Sequence, residues 1–292
     1  MLLMSALISG LGLGSMYGLM ALGFYVTYAV SGTVNFAQGS SMMLGAVLTF
    51  TFAQTLGWPL GLAILLALAL CALYGLLVEF FAVRPFVNRG SDAWLMATVA
   101  LGIVLDNLVM FTYGKEPRSL PSPLAQSSVE VGGLGLGVYP LQLLIPLVGL
   151  ALAAALHALS RRTRWGTGML AVVQNRPAAR LMGIPIRRAV AVAFALSALF
   201  AGIAGVLIAP LFNVHSDMGT LFGLKAFAVA ILGGITSAWG VMIAGLLFGL
   251  AEALITATLG SSYTQILTFA LVIVALAWRP NGLFGRAEVK KV

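Results

Sequence analysis

Apolar residues fill helix-length stretches at about 4–30, 36–56, 59–82, 93–113, 139–159, 189–212, 224–256 and 263–279, and polar residues collect in the gaps between them. About 20 consecutive apolar residues in helical conformation cross a bilayer core. The pattern therefore predicts an all-α, polytopic integral membrane protein of eight to nine membrane segments, with 1–292 forming one transmembrane domain. The longest polar connector, 114–138, carries Pro117, Pro121 and Pro123, continues into a glycine-rich stretch from Gly132 to Gly137, and balances Lys115 and Arg118 against Glu116 and Glu130.

The pattern is interrupted at two places. Within 224–256, Gly233 and Gly234 are followed by Thr236, Ser237, Trp239 and Gly240, and a glycine costs a helix interior about 1 kcal/mol relative to alanine. The helix is expected to break there in mid-membrane and turn the chain back. Between the first two runs stands Ser31-Gly-Thr-Val-Asn35-Phe-Ala-Gln38-Gly39-Ser40-Ser41. Irregular backbone at membrane depth is stable only against protein or a wet cavity. Asn35, Gln38, Gly233, Gly234, Thr236 and Ser237 are therefore candidates for a substrate pathway, with Asn35 as a simple cap of the second helix the alternative. Interruptions at corresponding places in two halves point to an inverted repeat with the path at its interface. Small residues also recur every four positions, at Gly10, Gly14 and Gly18, at Ser197, Ala201 and Gly205, and at Gly245, Gly249 and Ala253. That spacing lets helix backbones approach closely in lipid.

Composition sharpens the class. Of 292 residues, 61% are hydrophobic and 8% charged, against about 25% charged in soluble chains, which excludes most soluble enzymes. The net charge of +8 is localised. Arg161, Arg162, Arg164, Arg176, Arg180, Arg187 and Arg188 share one stretch with no acid, Arg84 and Arg89 share another, and Arg279, Arg286, Lys290 and Lys291 lie in the tail. Lys and Arg in short loops mark the cytoplasmic face, so 84–89, 161–188 and 286–292 are expected inside, and the N-terminus and 114–138 outside. Nucleic acid is not an expected partner, because Trp165 alone stands among these cations and base recognition needs more; the partner of the apolar surface is membrane lipid. The segment MLLMSALISG has no basic n-region and is expected to begin the first span.

Catalytic chemistry is not predicted. Cys71 is the only cysteine and lies in an apolar run, so packing is its expected role. His157 and His215 fall on opposite sides in this topology, which argues against a metal site. There is no G-x-S-x-G, and Gly114-Lys115 is followed by Glu116 where a nucleotide-binding loop needs Ser or Thr. A nucleotide, if one drives this protein, is expected on another subunit. The ionisable residues near membrane depth are Glu79, Asp92, Asp106, Lys225 and Glu252, and such groups invite a functional or paired reading. Glu79 and Asp92 are expected to pair with Arg84 and Arg89, and Lys225 to snorkel or pair with Glu252. Asp106, beside Asn107, is either functional or hydrogen-bonded between helices. No chain of carboxylates suited to a proton-driven pump is present.

Several stretches taken together carry a family resemblance: Gly14-Ser-Met-Tyr17-Gly18-Leu-Met-Ala-Leu-Gly23, Val34-Asn35-Phe36-Ala37-Gln38-Gly39, Gly166 through Gly183-Ile184, Gly223-Leu-Lys225-Ala-Phe227, Gly233-Gly234-Ile235-Thr-Ser237, Gly249-Leu-Ala-Glu252-Ala253 and Arg279-Pro280-Asn-Gly282-Leu-Phe-Gly285. In that order they resemble the membrane permease of the high-affinity branched-chain amino acid ABC transporters, the LivH type. The resemblance implies an importer in the bacterial inner membrane, built from two related permease subunits, two ATPase subunits and a periplasmic substrate-binding protein. ATP and Mg would then sit on the ATPase subunits, with no cofactor on this chain. It also implies that Ala178, Ala179, Arg180, Gly183 and Ile184 form the cytoplasmic coupling segment that docks in the ATPase. One departure stands out: where such permeases commonly read Asn-Phe-Ala-His-Gly-Glu, this chain has Asn35-Phe-Ala-Gln38-Gly39-Ser40. The cargo is thereby left open among branched-chain amino acids, other amino acids, urea, amides and aromatic acids. An ion-coupled secondary transporter, or a passive channel for a small neutral solute, is the alternative from another class.

Overall fold

A computed structural model describes residues 2–87, 89–126, 129–130 and 137–285. The tail cations Arg286, Lys290 and Lys291, and part of 114–138, lie outside the described residues. Helix α1 (Leu2–Ser31) is followed by α2 (Gln38–Phe50), α3 (Leu60–Val87) and α4 (Trp94–Tyr113). Beyond a connector in which Val129–Glu130 pairs antiparallel with Gly137–Val138 comes α5 (Pro140–Arg162). Two short helices, α6 (Arg164–Gln174) and α7 (Arg176–Leu181), occupy the arginine-rich stretch. The chain then forms α8 (Ile186–Ile208), α9 (Met218–Gly233), α10 (Ala238–Leu259) and α11 (Ser261–Trp278).

Seven of these helices, α1, α3, α4, α5, α8, α10 and α11, are long and apolar enough to cross a membrane. Of the remaining apolar helices, α9 with 16 residues is too short for a full crossing, and α2 continues from Phe50 through a π-helical turn to Thr55. They account for the eight to nine segments expected.

The two halves of the chain have the same plan in opposite orientation. α1 ends where the arginines are, because the Arg176 guanidinium donates to the Val30 carbonyl at 2.6 Å. α8 begins at that end, beside Arg187 and Arg188. It leads toward Val214, which bridges Arg118 of the polar connector at the other end. Along α1, Gly10 faces Gly249 and Ala253, Gly14 faces Gly245, and Gly18 faces Met242, so α1 and α10 run antiparallel. A methyl group at Gly14 would stand 2.6 Å from the Gly245 carbonyl oxygen; the two small-residue stripes form a single close-packed seam. The equivalent seam joins α8 to α3, with Gly75 against Phe194 and Gly202 against Cys71. The short helices α2 and α9 meet at the centre, Gly39 against Gly219 and Gly223.

The break at Gly233–Ser237 is real but lies elsewhere than expected. α9 ends at Gly233, Gly234 takes a φ of +82°, and the Ser237 hydroxyl caps α10 by accepting from Gly240 N. The turn packs on the segment after α11: Leu283 N donates to Leu232 O at 2.7 Å, and a methyl at Gly234 would stand 2.5 Å from Gly285 N. Trp239 lies against His157, four residues before Arg161. The expectation of a mid-membrane break is therefore corrected: α9 and α10 form an antiparallel hairpin that turns at the arginine-bearing end. The glycines are there because a left-handed backbone and close backbone contact exclude a side chain. With this reversal, α11 delivers Arg279 to the same end as Arg161, Arg176 and Arg187.

Candidate functional site

The segment 32–37 climbs back from the end of α1 into the bundle. Gln38 Nε2 donates to the carbonyls of Met20 (3.2 Å) and Ser197 (3.0 Å), and its Oε1 accepts from Ser197 Oγ at 2.7 Å. Met20 lies about three helical turns before the end of α1, so α2 starts deep in the membrane. Asn35 Oδ1 accepts from Ala37 N at 3.1 Å, and Asn35 Nδ2 points to Gln38 Oε1 at 3.5 Å. Ala37 is the N-cap of α2, and Asn35 closes the turn before it. Both amides are fully buried, where an unpaired amide would cost a few kcal/mol. Their hydrogen bonds lock α1, α2 and α8 together.

The six residues singled out for the pathway do not converge. Asn35 and Gln38 lie at mid-depth, whereas Gly233, Gly234, Thr236 and Ser237 form the hairpin turn at the arginine-bearing end. What lies beside the start of α2 is a cavity of about 270 Å³. Its polar lining is Ser40 of α2, Asp106 of α4 and Thr220 of α9, and its apolar wall is Phe24, Phe36 and Phe227. The three rings pack on one another, Phe227 lying 5.5 Å from Phe24 and 5.1 Å from Phe36 between centroids. Gly102 lets α4 come close, since a methyl there would stand 3.0 Å from Ser40 Oγ. One turn further along α4, Asp106 carries a buried Oδ1 without a hydrogen-bond donor, and Ser40 is its hydroxyl neighbour.

The cavity opens between α4 and α9, where Ile103 and Leu224 are more than half exposed. Asn107 and Thr220 are exposed on the same face. Asn107 Nδ2 is satisfied within α4 by the Ile103 carbonyl at 2.8 Å, so the group at this mouth that is costly against lipid is the Asp106 carboxylate. The two short helices, starting at the centre, direct the partial positive charge of their N-termini inward. The arrangement offers a negative group, helix N-termini and an aromatic wall in one mid-membrane cavity.

The other ionisable groups at depth are paired. Lys225 Nζ contacts Glu252 Oε1 at 2.5 Å and donates to the Tyr17 hydroxyl at 3.4 Å, joining α9, α10 and α1. Glu79 accepts two bonds from Arg84, at 3.2 and 2.8 Å, within the π-helical turn of α3. The expected Asp92–Arg89 pair is absent among the described residues. Both side chains are exposed, and in water such a pair gains little.

At the arginine-bearing end, α7 is built to be rigid. Asn175 Oδ1 accepts from Ala178 N, Arg176 reaches into the bundle to Val30 O, and Ile184 N donates to Ala179 O. Burial pulls the Arg176 guanidinium below its ordinary pKa. Gly183, with a φ of +78°, returns the chain toward α8. Ala179 points inward and is buried, while Ala178 and Arg180 are exposed. Within the same segment, between Arg180 and Gly183, Leu181 and Met182 are 89% and 81% exposed.

Comparison with known proteins follows the same lines. Residues 6–276 match the family described as "Branched-chain amino acid transport system / permease component". The chain is 35% identical to the high-affinity branched-chain amino acid transport system permease protein LivH of Escherichia coli K12, over 97% of this chain and 96% of that one. It is 32% identical to BraD, the corresponding permease protein of Pseudomonas aeruginosa, over 98% and 97%. A probable branched-chain amino acid transport permease protein LivH of Methanocaldococcus jannaschii is 26% identical over 91% and 88%.

Proposed function

The chain belongs to the branched-chain amino acid transport permease family, and from that premise we propose that it is the membrane subunit of an ABC importer for branched-chain amino acids. It sits in the inner membrane, forms the translocation path, and leaves ATP and Mg to partner ATPase subunits. The observation that carries this reading is the cavity between the N-termini of α2 and α9, which holds the Asp106 carboxylate and opens between α4 and α9. A second, related permease subunit covers that opening, so the path runs between the two. A periplasmic substrate-binding protein delivers cargo at the end marked by Arg118 and Val214. Asn35 and Gln38 serve the path by holding α2 at its starting depth. Gly233, Gly234, Thr236 and Ser237 serve it by setting the α9–α10 hairpin.

Coupling belongs to α7 and its exit turn. Leu181 and Met182 enter the ATPase groove, Ala178 and Arg180 flank them, and Ala179, Gly183 and Ile184 fix the shape of the segment. Because Arg176 ties α7 to the end of α1, movement of the ATPase is passed to the helix against which α10 and α9 pack. The test is purification after co-expression with the neighbouring transporter subunits. An ATPase is expected to remain bound through detergent extraction, and its hydrolysis is expected to rise when leucine-loaded binding protein is added. A chain that purifies alone and leaves ATP hydrolysis unaffected would contradict the assignment.

A further inference from the structure

We propose that Asp106 is the recognition point for the ammonium group of the travelling amino acid, with the cargo carboxylate on the first-turn amides of α2 and its aliphatic side chain against Phe24, Phe36 and Phe227. This assignment rests on the importer reading above and specifies the chemistry of its cavity. The first observation is electrostatic. Glu79 has Arg84 and Glu252 has Lys225. Among the described residues Asp106 has no counter-ion; Ser40 is the one hydroxyl donor to its carboxylate, and its Oδ1 is buried without a donor, as is Oε2 of the paired Glu252. A carboxylate in this setting costs several kcal/mol unless a cation or donor meets it. An ammonium group arriving in the cavity supplies both.

The second observation concerns the opposite charge. The α2 amides are accounted for up to Gln38 N, which donates to Asn35 O, and from Ser41 N, which donates to Ala37 O. Gly39 N and Ser40 N, between them, have no acceptor among the described residues, and both residues line the cavity. Free first-turn amides with an aligned helix dipole bind carboxylates. The space a side chain would take at Gly39 is filled by the backbone of α9 at Gly219 and Gly223, so the two short helices pack directly on each other where their amides border the cavity.

The third observation is size and polarity. A cavity of about 270 Å³ is below the range that holds drug-sized ligands and suits a small amino acid. Its aromatic wall favours an aliphatic group. A carboxylate and first-turn helix amides beside an apolar wall match an apolar amino acid, whereas a neutral amide or urea would bring Asp106 a hydrogen-bond donor but no counter-charge.

The test uses the complete complex in proteoliposomes, with Cys71→Ser as background. Asp106→Asn is expected to lower ATP-driven leucine uptake at least tenfold while leucine-loaded binding protein still stimulates ATP hydrolysis, and Asp106→Glu is expected to restore uptake to within a few-fold of wild type. Independently of those variants, Thr220→Cys is expected to be alkylated by a small thiol reagent and protected by leucine. The deaminated analogue 4-methylpentanoate is expected to give no protection. Wild-type leucine uptake in Asp106→Asn, or equal protection by leucine and 4-methylpentanoate, would overturn the proposal. Absence of ATP-driven leucine uptake in the background complex itself would overturn the importer reading and this assignment with it.

Discussion

Lys225 and Glu252 show how much one ion pair contributes at membrane depth. Lys225 is held by Glu252 and Tyr17 at the junction of α9, α10 and α1. Removing one partner of a buried pair strands the other charge and costs about 3–5 kcal/mol, whereas replacing both with apolar groups of similar volume is often neutral. Lys225→Met is therefore expected to lower the thermal midpoint of the detergent-solubilised complex markedly, and Lys225→Met with Glu252→Leu to recover most of it. Recovery in the double variant is the decisive readout, measured by retention of soluble complex after heating. This pair was legible in the sequence because ionisable residues are scarce in apolar runs. Ser40 and Thr220 were not. Hydroxyls in these helices commonly bond the carbonyl one turn back, as Thr256 does to Glu252 O and Thr268 to Thr264 O. Ser and Thr in an apolar run thus carry no signal of a cavity until the neighbouring helices are placed.

At the level of elements, glycine spacing was the most informative pattern. Gly10, Gly14 and Gly18 meet Gly245, Gly249 and Ala253 across one interface, with a methyl at Gly245 standing 2.6 Å from Gly18 N. Overpacking costs about 1–3 kcal/mol where neighbours can shift, and backbone cannot. Gly245→Leu is expected to reduce membrane abundance of the chain severalfold, while Gly61→Leu, where nothing stands within 4 Å, leaves it unchanged; quantitative immunoblotting of membranes compares them.

The hairpin turn lies at the arginine-bearing end, and not at mid-depth, for a related reason. α9 and α10 are joined by a turn of glycines, Thr and Ser that packs on the tail, so the apolar pattern runs through 224–256 without a polar gap. The first turns of α9, from Met218, fell outside the expected run because Asp217 and Thr220 interrupt the apolar pattern.

In α7, the family resemblance implies Ala178 and Ala179 as part of the coupling segment, but only the folded segment reveals that Ala179 faces inward and Leu181 and Met182 outward. Leu181→Ala with Met182→Ala is expected to lower the amount of ATPase retained on purification at least fivefold without changing membrane abundance of the permease. Equal retention would remove these two side chains from the docking surface.

The whole molecule was legible in outline from length, hydropathy and arginine placement: a multi-pass bundle of two inverted halves with most of its described arginines at one end. The central meeting of α2 and α9 was only hinted at, because it depends on Gln38 reaching Met20 and Ser197 across 18 and 159 residues of sequence. From that meeting follows the mid-membrane cavity and, on the importer reading proposed above, a path that must be opened by work done elsewhere. The last point is tested most directly by leucine uptake into proteoliposomes holding the assembled complex, with ATP enclosed with the ATPase subunits and binding protein supplied on the opposite side. Uptake is expected only with hydrolysable ATP, and to persist when proton and sodium gradients are collapsed. Uptake driven by an ion gradient, in vesicles that contain this chain but no ATPase subunit, would contradict the account.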